Sequence, residues 1–252
     1  MRGLAVLLPL TLLVGCVTFP SKLAVTQLQD AKKLSTTSNA YNGLATLAVD
    51  CPARPGKERE RDFACAQLWA YKASGCLKDY QDRLDAIAGK LLPTAEERAG
   101  IADDLSCALS ASASAQSFVP GLFPPNRQGD LLTILILRAR AIERRRENPD
   151  VGDRTTDTFE IGAVSAQMTA LPNGSYYAAY FLAGNAASHA SAAGRAAQRA
   201  TGAAKDANRA QACGYAQGGL QILPDVVPVP ALVDPLATRR DILDRLKTGF
   251  CA

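Results

Sequence analysis

The chain has 252 residues, a mass of 26.6 kDa and a formal net charge of +4, so it can form one domain with a sizeable core or two small ones. Its 48% of hydrophobic residues argue against global disorder, and a sequence pI near 8.7 gives no reason to expect a nucleic-acid partner. The single histidine, His189, excludes sites that need two imidazoles, such as the HExxH zinc motif.

The amino terminus is typical of an exported protein. Met1-Arg2 is a short basic segment, and an apolar run over 4–14 follows it. The run is too short to span a membrane, since a spanning helix needs about 20 residues. It ends in Leu13-Val14-Gly15-Cys16, which resembles the bacterial lipobox. The resemblance covers residues 1–16 and implies that residues 1–15 are a lipoprotein signal peptide.

The same resemblance implies a lipid anchor on Cys16, which would carry a diacylglycerol and usually an amide-linked acyl chain. Two or three chains anchor a protein stably. Val17 stands where an aspartate retains lipoproteins in the inner membrane of enteric bacteria, so we expect the periplasmic face of the outer membrane. Residues 16–21 then form a lipidated tether that reaches at most about 18 Å. The alternative is an ordinary secretory signal that happens to contain a cysteine.

The other six cysteines fit disulfide bonds in an oxidising periplasm. No CxxC motif occurs, so neither a zinc ribbon nor a thioredoxin-like redox site is indicated. Six cysteines allow 15 connectivities. Pairing within clusters along the chain predicts Cys213 with Cys251, Cys51 with Cys65, and Cys76 with Cys107. The alternative is that some remain free buried thiols.

Residues 22–116 form a predicted amino-terminal helical subdomain. Apolar residues recur at helical spacing in several stretches: 22–49 as one or two helices, 57–75, 78–92 with Leu91 on its apolar stripe, and a helix that opens at Pro93-Thr94. Prolines and glycines mark residues 117–129 as a linker loop.

Residues 130–252 form a predicted carboxyl-terminal helical subdomain. It opens with a central helix whose apolar first half, from Leu131 to Leu137, is expected to be buried, and whose arginine-rich second half is expected to emerge into solvent. A short buried strand over 131–137 is the alternative. The remaining elements follow in order: a helix over 157–171, an alanine-rich stretch over 175–212, a helix over 206–223, and a last helix with Asp234 as N-cap and Pro235 at its first position.

The predicted fold is therefore all-α, either a helical bundle or an irregular helix–turn–helix repeat array, stapled by disulfides. The pattern Tyr41-x-x-Leu44-Ala45-x-x-Ala48, followed by Ala66, Ala70 and Ala73, is loosely similar to a tetratricopeptide repeat. Residues 180–224 are similar too, although both units need insertions of roughly 10 to 16 residues relative to that repeat. The resemblance implies concave surfaces that hold peptides or partner proteins.

The sequence lacks the common catalytic motifs, so we expect no enzyme, no catalytic residue, no metal and no cofactor. The sequence contains no GxGxxG, GxxxxGK[ST] or GxSxG. Nothing in the sequence orients His189 toward Ser188 or Ser191, which favours a structural role for this histidine. The glutamates have charged neighbours, and only Glu160 has an apolar setting, so a peptidoglycan-cleaving acid is weakly supported.

Arginines at two places predict a docking surface for anionic partners such as lipid headgroups, glycans or an acidic protein. The residues are Arg138, Arg140, Arg144, Arg145, Arg146, Arg195, Arg199 and Arg209. A solvated helix face is the alternative.

The sequence as a whole favours a non-enzymatic periplasmic scaffold or adaptor that contacts the membrane through its lipid and other envelope proteins through its helices. Secretion, pilus and outer-membrane machines use such lipoproteins, by analogy of architecture. The first alternative is a small-ligand-binding lipoprotein beside a transporter, with a deep apolar pocket rimmed by Tyr176, Tyr177, Tyr180 and Trp69. The second is an envelope hydrolase, which would need a buried acid with a raised pKa in a cleft.

Overall fold

A computed structural model describes residues 20–36, 41–119, 124–148 and 154–251. The predicted signal peptide, the lipidation of Cys16 and most of the tether lie outside these ranges. Every regular element within them is helical, so the all-α prediction is confirmed and the alternative strand over 131–137 is wrong. No helix in this part of the chain is long and apolar enough to cross a membrane.

Consecutive helices pack against one another along the chain. The helices are α1 (Pro20–Thr36), α2 (Tyr41–Leu44), α3 (Arg59–Ile87), α4 (Ala95–Ser117), α5 (Gln128–Glu147), α6 (Arg154–Thr169), α7 (Gly174–Arg199), α8 (Gly202–Ile222) and α9 (Val233–Phe250). The most extensive contacts join α3 to α4 and α7 to α8. Helix α5 is central, since it touches α3 and α4 on one side of the linker and α6 and α7 on the other.

Helix α3 is one continuous helix where the sequence predicted two. Gly75 lies inside it, and a Cβ there would come within 2.4 Å of the Ala45 backbone nitrogen. The glycine thus serves close packing against the end of α2 and does not break the helix. Leu91 was predicted on an apolar stripe, and this is wrong: the helix ends before Gly89, which has a φ of 87°, and Leu91 is fully exposed in the following turn.

Two predicted helix boundaries also differ from the structure. The alanine-rich stretch is interrupted after Arg199, and α8 begins at Gly202, whose φ of 56° suits glycine. Helix α9 begins at Val233, so Asp234 lies in its first turn and is not the N-cap. The reason is that the 3₁₀ turn Pro230–Leu232 runs directly into the helix.

The three predicted disulfides are present in the structure. Their Cα–Cα distances are 5.9 Å for Cys51–Cys65, 5.8 Å for Cys76–Cys107 and 5.0 Å for Cys213–Cys251. The first ties the loop after α2 to α3, the second links α3 to α4, and the third joins α8 to the residue that follows α9. Each bond therefore fixes a pair of elements that are neighbours in the chain.

The expectation that the second half of α5 lies in solvent is wrong. Buried residues continue to its last turn at spacings of three and four: Leu132, Leu135, Ala139, Ile142 and Arg146. Asn185 of α7 contacts Arg146 in this half, and Arg239 of α9 contacts Glu143. The buried stripe of α5 thus ends on a charged side chain.

We expect Gly75→Ala to lower the free energy of unfolding by about 1–3 kcal/mol, because the added methyl group meets backbone atoms that cannot move aside easily. Gly162→Ala is the matched control. Nothing lies within 4 Å of the Cβ position in that helical glycine, so alanine there should stabilise by up to about 1 kcal/mol. Urea denaturation followed by circular dichroism measures both. Equal effects of the two variants would contradict the packing described for Gly75.

Candidate functional site

A buried ionic cluster joins α5, α7 and α9. Glu143 is 6% exposed, and its Oε1 accepts a hydrogen bond from Arg239 and lies 3.6 Å from Nη2 of Arg146. The Arg239 guanidinium also donates to the Tyr180 hydroxyl at 3.2 Å and stacks 4.6 Å from the centroid of that ring. Two guanidinium groups therefore share one carboxylate in a site that is largely closed to water.

Gly184 of α7 makes this cluster possible. A Cβ at this position would lie 2.9 Å from both Cζ of Arg239 and Oε1 of Glu143. Any larger residue would push the charged pair away from α7. The glycine therefore provides the space in which the cluster forms.

Arg146 extends the cluster towards α6. Its Nη1 donates to Oδ1 of Asn185 at 2.7 Å, whereas its Nε is buried and has no hydrogen-bond partner among the described residues. The Thr158 hydroxyl lies 3.3 Å from the same Asn185 oxygen and 2.7 Å from Nε2 of His189. The His189 ring in turn stacks on Tyr215, with centroids 5.0 Å apart. The only histidine is thus packed between α6 and α8.

A second ionic group joins α5 to α6. Arg145 donates to the fully buried Asp157 at 2.6 Å and lies 3.2 Å from Glu160. Arg138 donates to the other Glu160 oxygen at 2.6 Å and to the backbone oxygen of Leu109 at 3.1 Å. The apolar setting expected for Glu160 is wrong, because the helical turn directs its carboxylate away from its apolar neighbours and onto α5.

Burial and charge act in opposite directions on the buried acids of these two ionic groups. Burial raises the pKa of the Glu143 carboxyl, and the guanidinium groups of Arg239 and Arg146 oppose that change. Burial likewise raises the pKa of Asp157, against its hydrogen bond from Arg145. The protein therefore contains a buried acid with a raised pKa at Glu143, where the charged neighbours in sequence indicated a solvated surface.

The eight arginines of the predicted docking surface differ in their partners and in their exposure. Arg138, Arg145 and Arg146 are held inside the ionic groups, and Arg144 pairs with Glu147 at 2.7 Å. The Arg209 guanidinium donates to the Phe250 backbone oxygen at 3.2 Å. Arg140, Arg195 and Arg199 are the exposed members of the set. The arginines at the end of α5 are therefore largely structural.

Two polar cavities flank the buried cluster. One, of about 310 Å³, is lined by residues of α5, α7 and α9 that include Arg146, Glu147, Ser188, Ser191, Arg195 and Arg239. The other, of about 400 Å³, is lined by residues of α3, α5 and α7 that include Lys78, Gln81, Arg140, Glu143, Arg144 and Tyr180. Their volumes are near the lower limit for small-molecule sites.

The chain matches no protein-family model, no curated protein and no solved structure. Among the described residues, no group of three or more His, Cys, Asp or Glu side chains is placed to hold a metal ion.

The aromatic residues expected to rim one apolar pocket belong to different parts of the core. Trp69 packs against a cluster to which all the helices from α1 to α5 contribute. Tyr177 and Tyr180 pack against a cluster of α5, α6 and α7, and all three predicted tyrosines pack against a cluster around α7 and α9. A more apolar cavity of about 190 Å³ does lie between α3 and α5, beside Tyr71 and Leu137. The structure does not bring the four predicted side chains into one described cluster.

Proposed function

We propose that this protein is a membrane-anchored periplasmic lipoprotein that acts as a non-enzymatic scaffold or adaptor in an envelope assembly. The observation that carries the proposal is the motif Leu13-Val14-Gly15-Cys16 after a short apolar run. The three disulfides use six of the seven cysteines, which leaves Cys16 for a lipid. Disulfide bonds also agree with an oxidising compartment such as the periplasm.

The helical body supports the adaptor part of the proposal by architecture. Long helices that pack in consecutive pairs, such as α3 with α4 and α7 with α8, present extended side-chain surfaces to partner proteins. The machines proposed as partners are secretion, pilus or outer-membrane assemblies, by analogy with other helical lipoproteins. The disulfides would fix the relative positions of the helices that form such surfaces, even without a large core.

An envelope hydrolase is a second candidate, and Glu143 is the observation that favours it. A buried glutamate with a raised pKa at the edge of a cavity has two properties of a general acid. Its Oε1, however, already forms ion pairs with Arg239 and Arg146, so the carboxylate serves as the counter-ion of these two guanidinium groups. The adaptor is therefore preferred. Peptidoglycan cleavage by the purified protein that is lost in Glu143→Gln would reverse this preference.

We expect Cys16→Ala to abolish incorporation of labelled palmitate and to remove the protein from the outer-membrane fraction, because no other cysteine can carry the anchor. Cys51→Ala is the control, since it also lacks one cysteine but should keep both the label and the location. Label in the Cys16→Ala protein, or its continued presence in the outer membrane, would contradict the anchoring.

The adaptor proposal is tested by purifying the full-length lipidated protein from detergent-solubilised native membranes, with the Cys16→Ala protein as control. Mass spectrometry should find a stoichiometric set of envelope proteins that withstands moderate salt and is reduced in the control. A lipidated protein that is recovered alone would overturn the adaptor, and a small molecule in its native mass spectrum would favour the ligand-binding alternative.

A further inference from the structure

The cavity of about 310 Å³ between α5, α7 and α9 concentrates positive charge. Guanidinium groups reach it from three helices: Arg146 from α5, Arg195 from α7 and Arg239 from α9. The hydroxyl groups of Ser188 and Ser191, also on α7, line the same space. The lining is thus rich in hydrogen-bond donors.

The acidic groups nearby do not neutralise all of this charge. Glu147, which also lines the cavity, is paired with Arg144 outside it, at 2.7 Å. Glu143 is the shared partner of Arg146 and Arg239, so one carboxylate faces two guanidinium groups. Arg195 is exposed and has no ion-pair partner among the described residues. The cavity therefore has an excess of positive charge.

Arg146 adds positive charge to the cavity, although its own donors are occupied or enclosed. Its side chain is 2% exposed, yet its Nε has no hydrogen-bond partner in the part of the chain that the structure describes. Buried donors in folded proteins are almost always paired, because an unpaired one loses the hydrogen bonds it made to water. Because this Nε is closed to solvent, it does not face the cavity, and an anion there would be held by Arg195, Arg239 and the two serine hydroxyl groups.

We infer that this cavity binds the phosphate group of a small molecule or of a lipid headgroup. Guanidinium groups form bidentate hydrogen bonds to carboxylates and phosphates alike. Arg195, the nitrogens of Arg239 other than Nη2 and the two hydroxyl groups offer more donors than the two oxygens of a carboxylate can accept, whereas a phosphate has more oxygens and a larger charge. The volume leaves room for a phosphate with a small organic group. The inference stands apart from the proposed anchoring and from the adaptor role.

Titration calorimetry on the full-length protein in non-ionic detergent tests this site, with inorganic phosphate as the probe and sodium chloride at equal ionic strength as the reference. We expect saturable phosphate binding that Arg195→Gln weakens about tenfold or more, since one charged hydrogen bond is lost. Arg199→Gln is the matched control, because Arg199 is exposed one turn further along α7 and does not line the cavity. It should bind like the unaltered protein.

Two further probes distinguish the source of the phosphate. Tighter binding of glycerol 3-phosphate than of inorganic phosphate would indicate a soluble phosphate ester. Tighter binding to phosphatidylglycerol vesicles than to phosphatidylcholine vesicles would indicate a lipid headgroup, provided that Arg195→Gln removes the difference. Absence of saturable binding to every probe, or equal affinities of Arg195→Gln and Arg199→Gln, would overturn the inference.

Discussion

Replacing Arg239 with methionine is expected to lower the free energy of unfolding by about 3 kcal/mol, because it leaves the buried carboxylate of Glu143 short of a partner. Methionine keeps most of the apolar stem but loses the contacts that the guanidinium makes with Glu143 and with the Tyr180 ring. Arg146 remains 3.6 Å from Glu143, which limits the loss. Urea denaturation followed by circular dichroism measures the change.

Arg240→Met is the matched control for this experiment. Arg240 is the next residue of α9, and its Nη2 donates to the Pro224 backbone oxygen at 3.1 Å and lies 3.7 Å from Asp225, which is 98% exposed. A pair so open to solvent contributes at most about 1 kcal/mol. Combining Arg239→Met with Glu143→Gln should cost less than the sum of the two single changes, because the charges disappear together. Equal losses for Arg239→Met and Arg240→Met would show that the buried cluster does not stabilise the fold as described.

Removing the Cys213–Cys251 disulfide by changing both cysteines to alanine should lower the stability by about 4 kcal/mol. The bond closes a loop over a sequence separation of 38 residues, and the entropy lost by the unfolded chain grows with that separation. For a domain of this size the melting temperature should fall by about 10 °C. Differential scanning calorimetry under non-reducing conditions gives the comparison.

The Cys51–Cys65 bond is the internal reference, because its separation of 14 residues predicts a smaller loss of about 3 kcal/mol. Both double variants keep the remaining two disulfides. A carboxyl-terminal variant that is as stable as the unaltered protein would mean that α9 is held in place without its covalent link, through apolar contacts such as those of Leu243.

The fold could be predicted from the sequence where local patterns dominate. Apolar spacing, the Pro93-Thr94 pair that precedes α4 and the clustering of cysteines along the chain are local properties, and the helices and the disulfide pairs could be predicted from them. Most of the boundary errors fall at glycines, and the one at the start of α9 comes from the preceding 3₁₀ turn. Gly75 continues a helix because a close contact with Ala45 needs it, and Gly89 ends that helix before Leu91.

The buried cluster could not be predicted in the same way, because its parts are distant in the sequence. Glu143 and Arg239 are 96 residues apart, and nothing in either segment indicates the other. One signal was present: Arg146 continues the buried stripe of α5 at a spacing of four from Ile142. A segment so rich in arginine is expected to form a solvated helix face. The reason is that a buried charge needs a partner, and only the tertiary structure supplies that partner.

The intact mass of the protein purified from the membranes of a Gram-negative host tests the central claim most directly. Lipid anchoring predicts a chain that begins at Cys16, without residues 1–15, and carries the mass of a diacylglyceryl group and an amide-linked acyl chain. Reduction of the three disulfides should leave that added mass in place. A chain with an unmodified Cys16, or one cleaved at another position, would contradict the account of this protein as a membrane-anchored lipoprotein.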